Sequence, residues 1–461
     1  MLVIINVLSG ELCILFKMLS QKVQEIKSGK LSATGNIKQF LEKIEKENKK
    51  FNIVLQVNEE ALAEAKKVDA KIKQGTAGKF AGLGFLVKSN INVAGLICNC
   101  ASKTLENYRA GYDATVIAKL KGEDAIVLGM VNMDEFACGG TGENSAFGVC
   151  KNPSTMSRIP GGSSSGSAAG VAAGFCDFAL GSDTGGSVRN PASHCGVVGL
   201  KPSYGMVSRY GLIDLAMSFD QIGPLTYSVA DCQLVFDVIK GADEHDGVSQ
   251  TFEKGKERKG KISVGVLSVA ADERILDLIA QKIEAVKKPN WIFKQLTISH
   301  INLGIQTYYP LAYVEFFSGT RKFDGRKYGK KIEEVCGKEV LRRILGGSEI
   351  SKAEFAEKYY RRALAAKKII AQEFSDAFKQ VDMIILPTVP KLPHKIGEKL
   401  SVEDEYRYDT LTVLANLAQI PAISVPAGTI SEDGEKIPIG LQIMAARGND
   451  DLLLAFAKNF E

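Results

Sequence analysis

Two serine-bearing stretches and one lysine carry residue types and spacings that could do chemistry. The first stretch reads Gly181-Ser182-Asp183-Thr184-Gly185-Gly186-Ser187-Val188-Arg189. Glycines just ahead of a serine let the backbone fold tightly, so that N–H groups converge beside the hydroxyl. The amides of Thr184, Gly185, Gly186 and Ser187 are thus a candidate oxyanion hole for a tetrahedral intermediate built on Ser187. Losing one such donor typically costs about 3–4 kcal/mol of transition-state stabilisation. A serine nucleophile also needs a base. Lys88 ends the strand-like run Gly84-Phe85-Leu86-Val87, where burial would lower its pKa from about 10.4 towards neutrality. Such a lysine could take a proton through an intervening hydroxyl. The same residues also fit plainer readings: a Gly/Ser turn without chemistry, and a snorkelling surface lysine.

The second stretch, Pro160-Gly-Gly-Ser163-Ser164-Ser165-Gly-Ser167, invites two other mechanisms. Neither G-x-x-x-x-G-K-[ST] nor G-x-G-x-x-G after a strand occurs, so nucleotide binding lacks its usual support. Gly162-Ser-Ser-Ser-Gly166 fits the G-x-S-x-G elbow of serine hydrolases, which requires a histidine. The chain has four histidines, and His194 lies close to Ser187 in sequence, which keeps a Ser–His pairing open.

The elements that must position these groups read as α/β. Residues 36–50 and 59–74 have the periodicity of amphipathic helices. Beyond Gly75, short apolar runs (83–87, 125–128, 176–180, 262–267, 291–298) alternate with helical stretches (113–121, 229–239, 273–287), which predicts a largely parallel or mixed sheet. A long helix is expected over 352–380, its buried stripe marked by Phe355, Tyr359, Ala363, Ile370, Phe374 and Phe378. Further strands are expected at 383–386, 423–425 and 439–444.

Composition bounds the possibilities. With 45% hydrophobic and 24% charged residues, the chain is no disordered, collagenous or coiled-coil protein. The net charge of +5 over 461 residues does not announce a nucleic-acid binder, and the basic run 254–261 reads as a solvated loop. Nine cysteines without C-x-x-C spacing read as reduced thiols, and four histidines make a His-rich metal cage implausible. Residues 1–17 are apolar but too short to span a bilayer and lack a basic flank, so we read them as a start-site extension ahead of Met18. Length alone suggests roughly three domains of about 150 residues.

Leu86-Val-Lys88-Ser-Asn-Ile, Gly161-Gly-Ser163-Ser and Gly181-Ser-Asp-Thr-Gly-Gly-Ser187-Val-Arg resemble the three core motifs of the amidase signature family. The intervals, 75 residues from Lys88 to Ser163 and 24 from Ser163 to Ser187, match as well. The resemblance implies one large α/β domain over 18–461, with N-terminal helices over 18–75 and a catalytic core over 76–461. Its central mixed sheet would be covered by helices on both faces. It implies Ser187 as acyl-forming nucleophile, Ser163 as bridging serine on a cis peptide and Lys88 as base. Within the family, the stretches Asn132–Gly140, Ser218–Pro224, Glu339–Ile344, Asp409–Thr412 and Asn416–Pro426 resemble the glutaminase subunits of tRNA-dependent amidotransferases. Subunits of that type hydrolyse glutamine and pass ammonia to a B subunit, which activates Glu-tRNA(Gln) or Asp-tRNA(Asn) with ATP and magnesium. A C subunit completes the heterotrimer.

The resemblance further implies no cofactor or metal in this chain, tRNA held mainly by the B subunit, no membrane association and a cytoplasmic location. Arg343 and Asp409 match the residues that grip the amino-acid head group, and a pocket tyrosine maps onto Tyr308 or Tyr309. A fork-shaped cation for a carboxylate and an anion for an ammonium is the chemistry a free amino acid demands. The chain departs from the family pattern at Ser89, usually aspartate, and at Ser165 and Gln419, each usually glycine. A stand-alone amidase acting on another small or acyl amide is the alternative, and a non-catalytic scaffold a more distant one.

Overall fold

The apolar runs after Gly75 become strands of one sheet, because each is bounded by turn residues and too short to bury a helical stripe. A computed structural model describes residues 18–252 and 260–461. The start-site reading of 1–17 and most of the basic run 254–261 lie outside those residues. The strands are β1 (Val54–Val57), β2 (Gly84–Lys88), β3 (Ile126–Val131), β4 (Phe178–Asp183), β5 (Val198–Lys201), β6 (Gln221–Thr226), β7 (Ile262–Leu267), β8 (Trp291–Leu296), β9 (Met383–Pro387), β10 (Ala422–Glu432) and β11 (Glu435–Ala445). They form an 11-stranded sheet in the order β1-β3-β2-β4-β6-β5-β10-β11-β9-β7-β8.

The sheet is mixed. β2 runs parallel to β3 and β4, and β7 runs parallel to β8 and β9, while the remaining pairs are antiparallel. The long β10–β11 hairpin turns through Asp433 (φ 52°) and Gly434 (φ 78°), the positive-φ pair that a tight hairpin turn requires. Among the N-terminal helices Leu19–Lys27, Ala33–Phe51 and Ala61–Lys73, β1 intervenes and joins the sheet edge against β3.

Alternate side chains of each central strand face opposite layers. Phe85 and Val87 face the layer whose cluster also takes in the helices Thr115–Gly122, Val229–Ile239, Glu273–Val286 and Asp450–Ala457. Leu86 faces the other side, towards Ala33–Phe51 and Ser165–Ala172. Below β9 that second side continues as a cluster built on Gly304–Thr320, Lys338–Ile350 and Arg362–Ala377. Burying Leu or Phe on both faces is worth about 1.5–3 kcal/mol per side chain, which fixes strand register throughout.

One expected element differs. The helix read over 352–380 is split into Ala353–Ala356 and Arg362–Ala377 by a π turn at Glu357–Arg361. Ala363, Ile370 and Phe374 are buried as expected, but the wider turn shifts the register ahead of them and leaves Tyr359 42% exposed.

Candidate active site

Lys88 is the last residue of β2 and Asp183 the last of β4, its parallel neighbour, so both emerge at the carboxyl edge of the sheet where α/β proteins place their ligands. The backbone then turns from Asp183 into the helix Arg189–Cys195, and a ring of hydrogen bonds closes that turn. The Asp183 carboxylate accepts from Gly186 N–H at 2.9 Å, Val188 N–H at 3.1 Å and Asn416 Nδ2 at 2.9 Å. Arg189 Nε and Nη2 donate to the same carboxylate at 3.0 and 2.8 Å. Arg189 Nη1 donates to Thr412 O and Gln442 Oε1 at 2.8 and 2.6 Å, and Nη2 to Asn416 Oδ1 at 2.7 Å, so all five guanidinium donors are used. Burial alone would push Asp183 up, but the Arg189 guanidinium and these donors hold it down to about 2. Gly186 adopts φ 139°, and a Cβ there would lie 2.2 Å from Thr412 Oγ1, so only glycine fits.

This ring divides the four amides of the expected oxyanion hole. The Gly186 N–H is committed to Asp183, whereas the N–H groups of Thr184, Gly185 and Ser187 engage no acceptor among the described residues. Thr184 is fixed through its hydroxyl, which donates to Asp220 Oδ1 at 2.6 Å. The Thr412 hydroxyl donates to Gly185 O at 2.6 Å.

Lys88 is completely buried, and its Nζ meets Ser163 Oγ at 2.8 Å, Ser182 Oγ at 2.9 Å and Ser182 O at 3.2 Å. Burial pushes its ammonium down to about 7, against the opposing pull of Asp134, Asp183 and Asp220. Ser163 follows a cis Gly162–Ser163 peptide bond. The next amide, Ser164 N–H, donates to Ser187 O at 3.1 Å and stitches the two serine loops together. Of the three groups, Lys88 and Ser163 are 0% exposed and Ser187 is 8% exposed, so only Ser187 reaches solvent. The Ser–His alternative finds no contact: His194 is buried, both ring nitrogens lack a partner among the described residues, and burial pushes its pKa down to about 3. Ser164, the middle residue of the G-x-S-x-G match, instead donates to Ser182 O at 3.1 Å.

The residues matched to the head-group clamp come from helices outside the sheet. Tyr308 and Tyr309 lie on Gly304–Thr320, Arg343 on Lys338–Ile350, and Asp409 ends the turn Arg407–Asp409. Tyr309 Oη donates to Asp409 Oδ2 at 2.7 Å and stacks on Tyr406 with ring centroids 3.8 Å apart. Tyr406 Oη donates to Glu339 Oε1 at 2.8 Å, and the same oxygen accepts from Arg343 Nε at 2.8 Å. The Arg343 Nη groups have no acceptor among the described residues. Burial pushes Asp409 up to about 7, although Tyr309 and Arg343 act to lower it. Tyr308 has a different place: its ring packs on the nucleophile loop, where a Cβ at Gly185 would lie 2.8 Å from it. The clamp and that loop are coupled, because Thr412, which binds both Gly185 and Arg189, donates its N–H to Asp409 O at 3.1 Å.

Several positioning groups carry no role in the sequence reading: Asp134, Ser182, Asp183, Arg189, Asp220, Glu339 and Tyr406. Ser182, Asp183 and Arg189 sit within the nucleophile motif, and Asp134, Asp220 and Glu339 within stretches that carry the family resemblance, which is where a signal existed. One departure finds a local account. Gln419 adopts φ 59°, a backbone that favours the glycine of the family pattern, while the buried Ser89 hydroxyl has no partner among the described residues and its departure has no structural explanation. Among the described residues no group of three or more His, Cys, Asp or Glu could hold a metal ion, and no helix is long and apolar enough to cross a membrane. The described cysteines are free.

A family model described as Amidase matches residues 36–454, and the chain belongs to the amidase signature family. Within it, the A subunit of glutamyl-tRNA(Gln) amidotransferase from Methanothermobacter thermautotrophicus is 52% identical over 443 residues, covering 94% of this chain and 96% of its own. Its counterpart from Methanocaldococcus jannaschii is 52% identical over 432 residues, covering 92% and 98%. Among solved structures, the A subunit of the same amidotransferase from Thermotoga maritima superposes with a TM-score of 0.78 at 35% identity, covering 94% and 92%. A bacterial aryl acylamidase of the amidase signature family shares the fold, with a TM-score of 0.86 at 23% identity over 96% of each chain.

Proposed function

We propose that this chain is the glutaminase subunit of a glutamyl-tRNA(Gln) amidotransferase. The observation that carries the reading is the Lys88 Nζ–Ser163 Oγ contact beside the Ser187 loop, tied to it by Ser164 N–H. Through Thr412 that loop joins a clamp with a carboxylate at Asp409 and, at Arg343, a guanidinium end without an acceptor among the described residues. The relatives of known name at about half identity support the same reading.

Glutamine binds with its α-carboxylate on the Arg343 fork and its α-ammonium on Asp409. The side-chain amide then points to Ser187. The Ser187 hydroxyl attacks the amide carbon while its proton passes through Ser163 Oγ to the neutral amine of Lys88. The unengaged N–H groups of Thr184, Gly185 and Ser187 are the donors available to the developing oxyanion. Collapse breaks the C–N bond, and the amide nitrogen leaves as ammonia with the proton returned from Lys88 through Ser163. Water then attacks the glutamyl ester by the reverse relay, which releases glutamate and restores the Ser187 hydroxyl. A lysine near 7 is matched to this task, because both protonation states are populated at neutral pH.

Ammonia is consumed by a B subunit that activates the misacylated tRNA with ATP and magnesium, and a C subunit completes a heterotrimer in the cytoplasm. No metal or organic cofactor belongs to this chain in that scheme. Ser187→Ala in the assembled complex should abolish glutamine-dependent transamidation, a loss of about 10³-fold or more. It should leave the ammonia-dependent reaction intact. Loss of both reactions would overturn the assignment of Ser187.

A further inference from the structure

Just past the end of β3, Asp134 is fully buried, with no cation within ion-pair distance among the described residues. Its carboxylate is held by the turn that follows: Oδ2 accepts from Gly142 N–H at 3.1 Å and Oδ1 from Asn144 N–H at 2.9 Å. Its own N–H donates to Ser163 O at 3.1 Å. Oδ2 rests directly on Gly162, where a Cβ would lie 1.9 Å from it. Lys88 pairs with Val131 across the parallel β2–β3 ladder, so Lys88 and Asp134 leave the sheet at the same edge. A short circuit therefore joins them: Asp134 N–H to Ser163 O, then Ser163 Oγ to Lys88 Nζ.

The other ionisable groups facing Lys88 are Asp183, Asp220 and Cys100. Asp183 is compensated by the Arg189 guanidinium at 2.8 Å. Asp220, ahead of β6, is pushed up by burial to about 7, and burial keeps the Cys100 thiol protonated. Burial also raises Asp134, to about 6, but its two amide donors and Lys88 oppose the rise, so it is mainly ionised at neutral pH. Neither Asp134 nor Asp220 has a cation within ion-pair distance among the described residues, and of the two it is Asp134 that also packs against the Gly162–Ser163 segment. In a water-excluded site such a field is screened less than it would be at the surface.

We propose that Asp134 is a positioning residue of the acyl-transfer centre, seating the Gly162–Ser163 segment and setting the proton affinity of Lys88 through its negative charge. The proposal rests on the triad roles given above. Asparagine at 134 removes the charge and turns a donor towards one of the two amides, while glutamate keeps the charge and displaces the carboxylate by one methylene.

The test is a pH profile of Asp134→Asn, Asp134→Glu and wild type in the assembled complex. Two readouts are followed: glutamine hydrolysis, and covalent labelling of Ser187 by phenylmethanesulfonyl fluoride. In Asp134→Asn the acid limb of both should move to lower pH by about one unit, because the ammonium form of Lys88 has lost its anion. The plateau kcat should fall about 10-fold or more with KM within about 2-fold of wild type. Asp134→Glu should lose kcat with its acid limb in place. An acid limb in Asp134→Asn that stays put or moves upward in both readouts overturns the proposal. If Asp134→Asn does not fold, Asp134→Glu decides, and a wild-type labelling rate there overturns it. Wild type that labels at Ser187 yet leaves glutamine intact would instead overturn the glutaminase reading, and the labelling profile would still judge Asp134.

Discussion

The nucleophile loop and the amino-acid clamp are both built from buried charge, but one is closed and the other open. Around the loop, every donor of Arg189 meets a protein acceptor, and the Asp183 carboxylate meets five donors. In the clamp, among the described residues, Arg343 spends only its Nε on Glu339, and the Asp409 carboxylate receives only the Tyr309 hydroxyl. A buried ion whose partners are all protein stabilises one backbone conformation. A buried ion with spare capacity holds an unfavourable desolvation that a charged ligand can relieve. The loop is therefore scaffold for the oxyanion site, and the clamp is the recognition element. Substitutions in the first should cost stability, and substitutions in the second should cost affinity.

The largest expected effect breaks the closed side. Arg189→Met removes the guanidinium and leaves Asp183 as an uncompensated buried charge, at a cost of about 3–5 kcal/mol. The denaturant midpoint of the purified protein reports it. Adding Asp183→Asn to Arg189→Met should recover part of the loss, because the orphaned charge is then gone. A double variant as unstable as the sum of the singles would mean that the two residues act independently, contrary to the shared hydrogen bonds.

The open side should respond to pH. Burial holds Asp409 near 7 in the empty site, so it is largely neutral below that pH and charged above it. An ammonium head group needs the carboxylate. Glutamine should therefore bind Ser187→Ala protein about 10-fold more weakly at pH 6 than at pH 8. Asp409→Asn should bind more weakly at all pH values and lose that dependence, while its unfolding free energy stays within about 1 kcal/mol of the parent. Comparing glutamine with a simple acyl amide separates the two functional readings. An amidase that ignores the head group would turn over both substrates equally well in Asp409→Asn and wild type. Calorimetric titration and parallel kinetics supply both measurements.

The same contrast explains what the sequence discloses. The nucleophile loop is legible because its ring closes over contiguous residues: Asp183, Gly186, Val188 and Arg189 lie within one motif. Lys88 is legible through the motif it shares with the family, because a lysine ending an apolar run could equally snorkel to the surface. Asp134 and Glu339 are not legible as site residues, since their roles depend on backbone amides or helices brought together by distant packing. The choice between Tyr308 and Tyr309 has the same origin. Adjacent residues on one helix point about 100° apart, and only the packed helix shows that Tyr309 serves Asp409 while Tyr308 abuts Gly185. Alternating apolar runs announce an α/β sheet but not its order, because the insertion of β6 and β5 beside β4 is set by antiparallel returns with no local signature. The split of the 352–380 helix is likewise invisible, since a π turn preserves composition while shifting the face.

The smallest effect probes how the clamp keeps its spare donors aimed. Glu339 Oε1 receives both Arg343 Nε and Tyr406 Oη, and Tyr406 in turn stacks on Tyr309, the partner of Asp409. The two charged ends of the clamp are thus joined through two stacked tyrosines. Tyr406→Phe deletes the hydroxyl and keeps the ring, so the stack should survive while Glu339 loses one donor and the Tyr313 hydroxyl loses its hydrogen-bond partner. One such hydrogen bond is worth about 0.5–1.5 kcal/mol, which corresponds to a rise in KM for glutamine of about 2- to 10-fold with kcat unchanged. A fall in kcat at constant KM would place Tyr406 with the closed loop instead, and the division drawn between scaffold and recognition would have to move to include it.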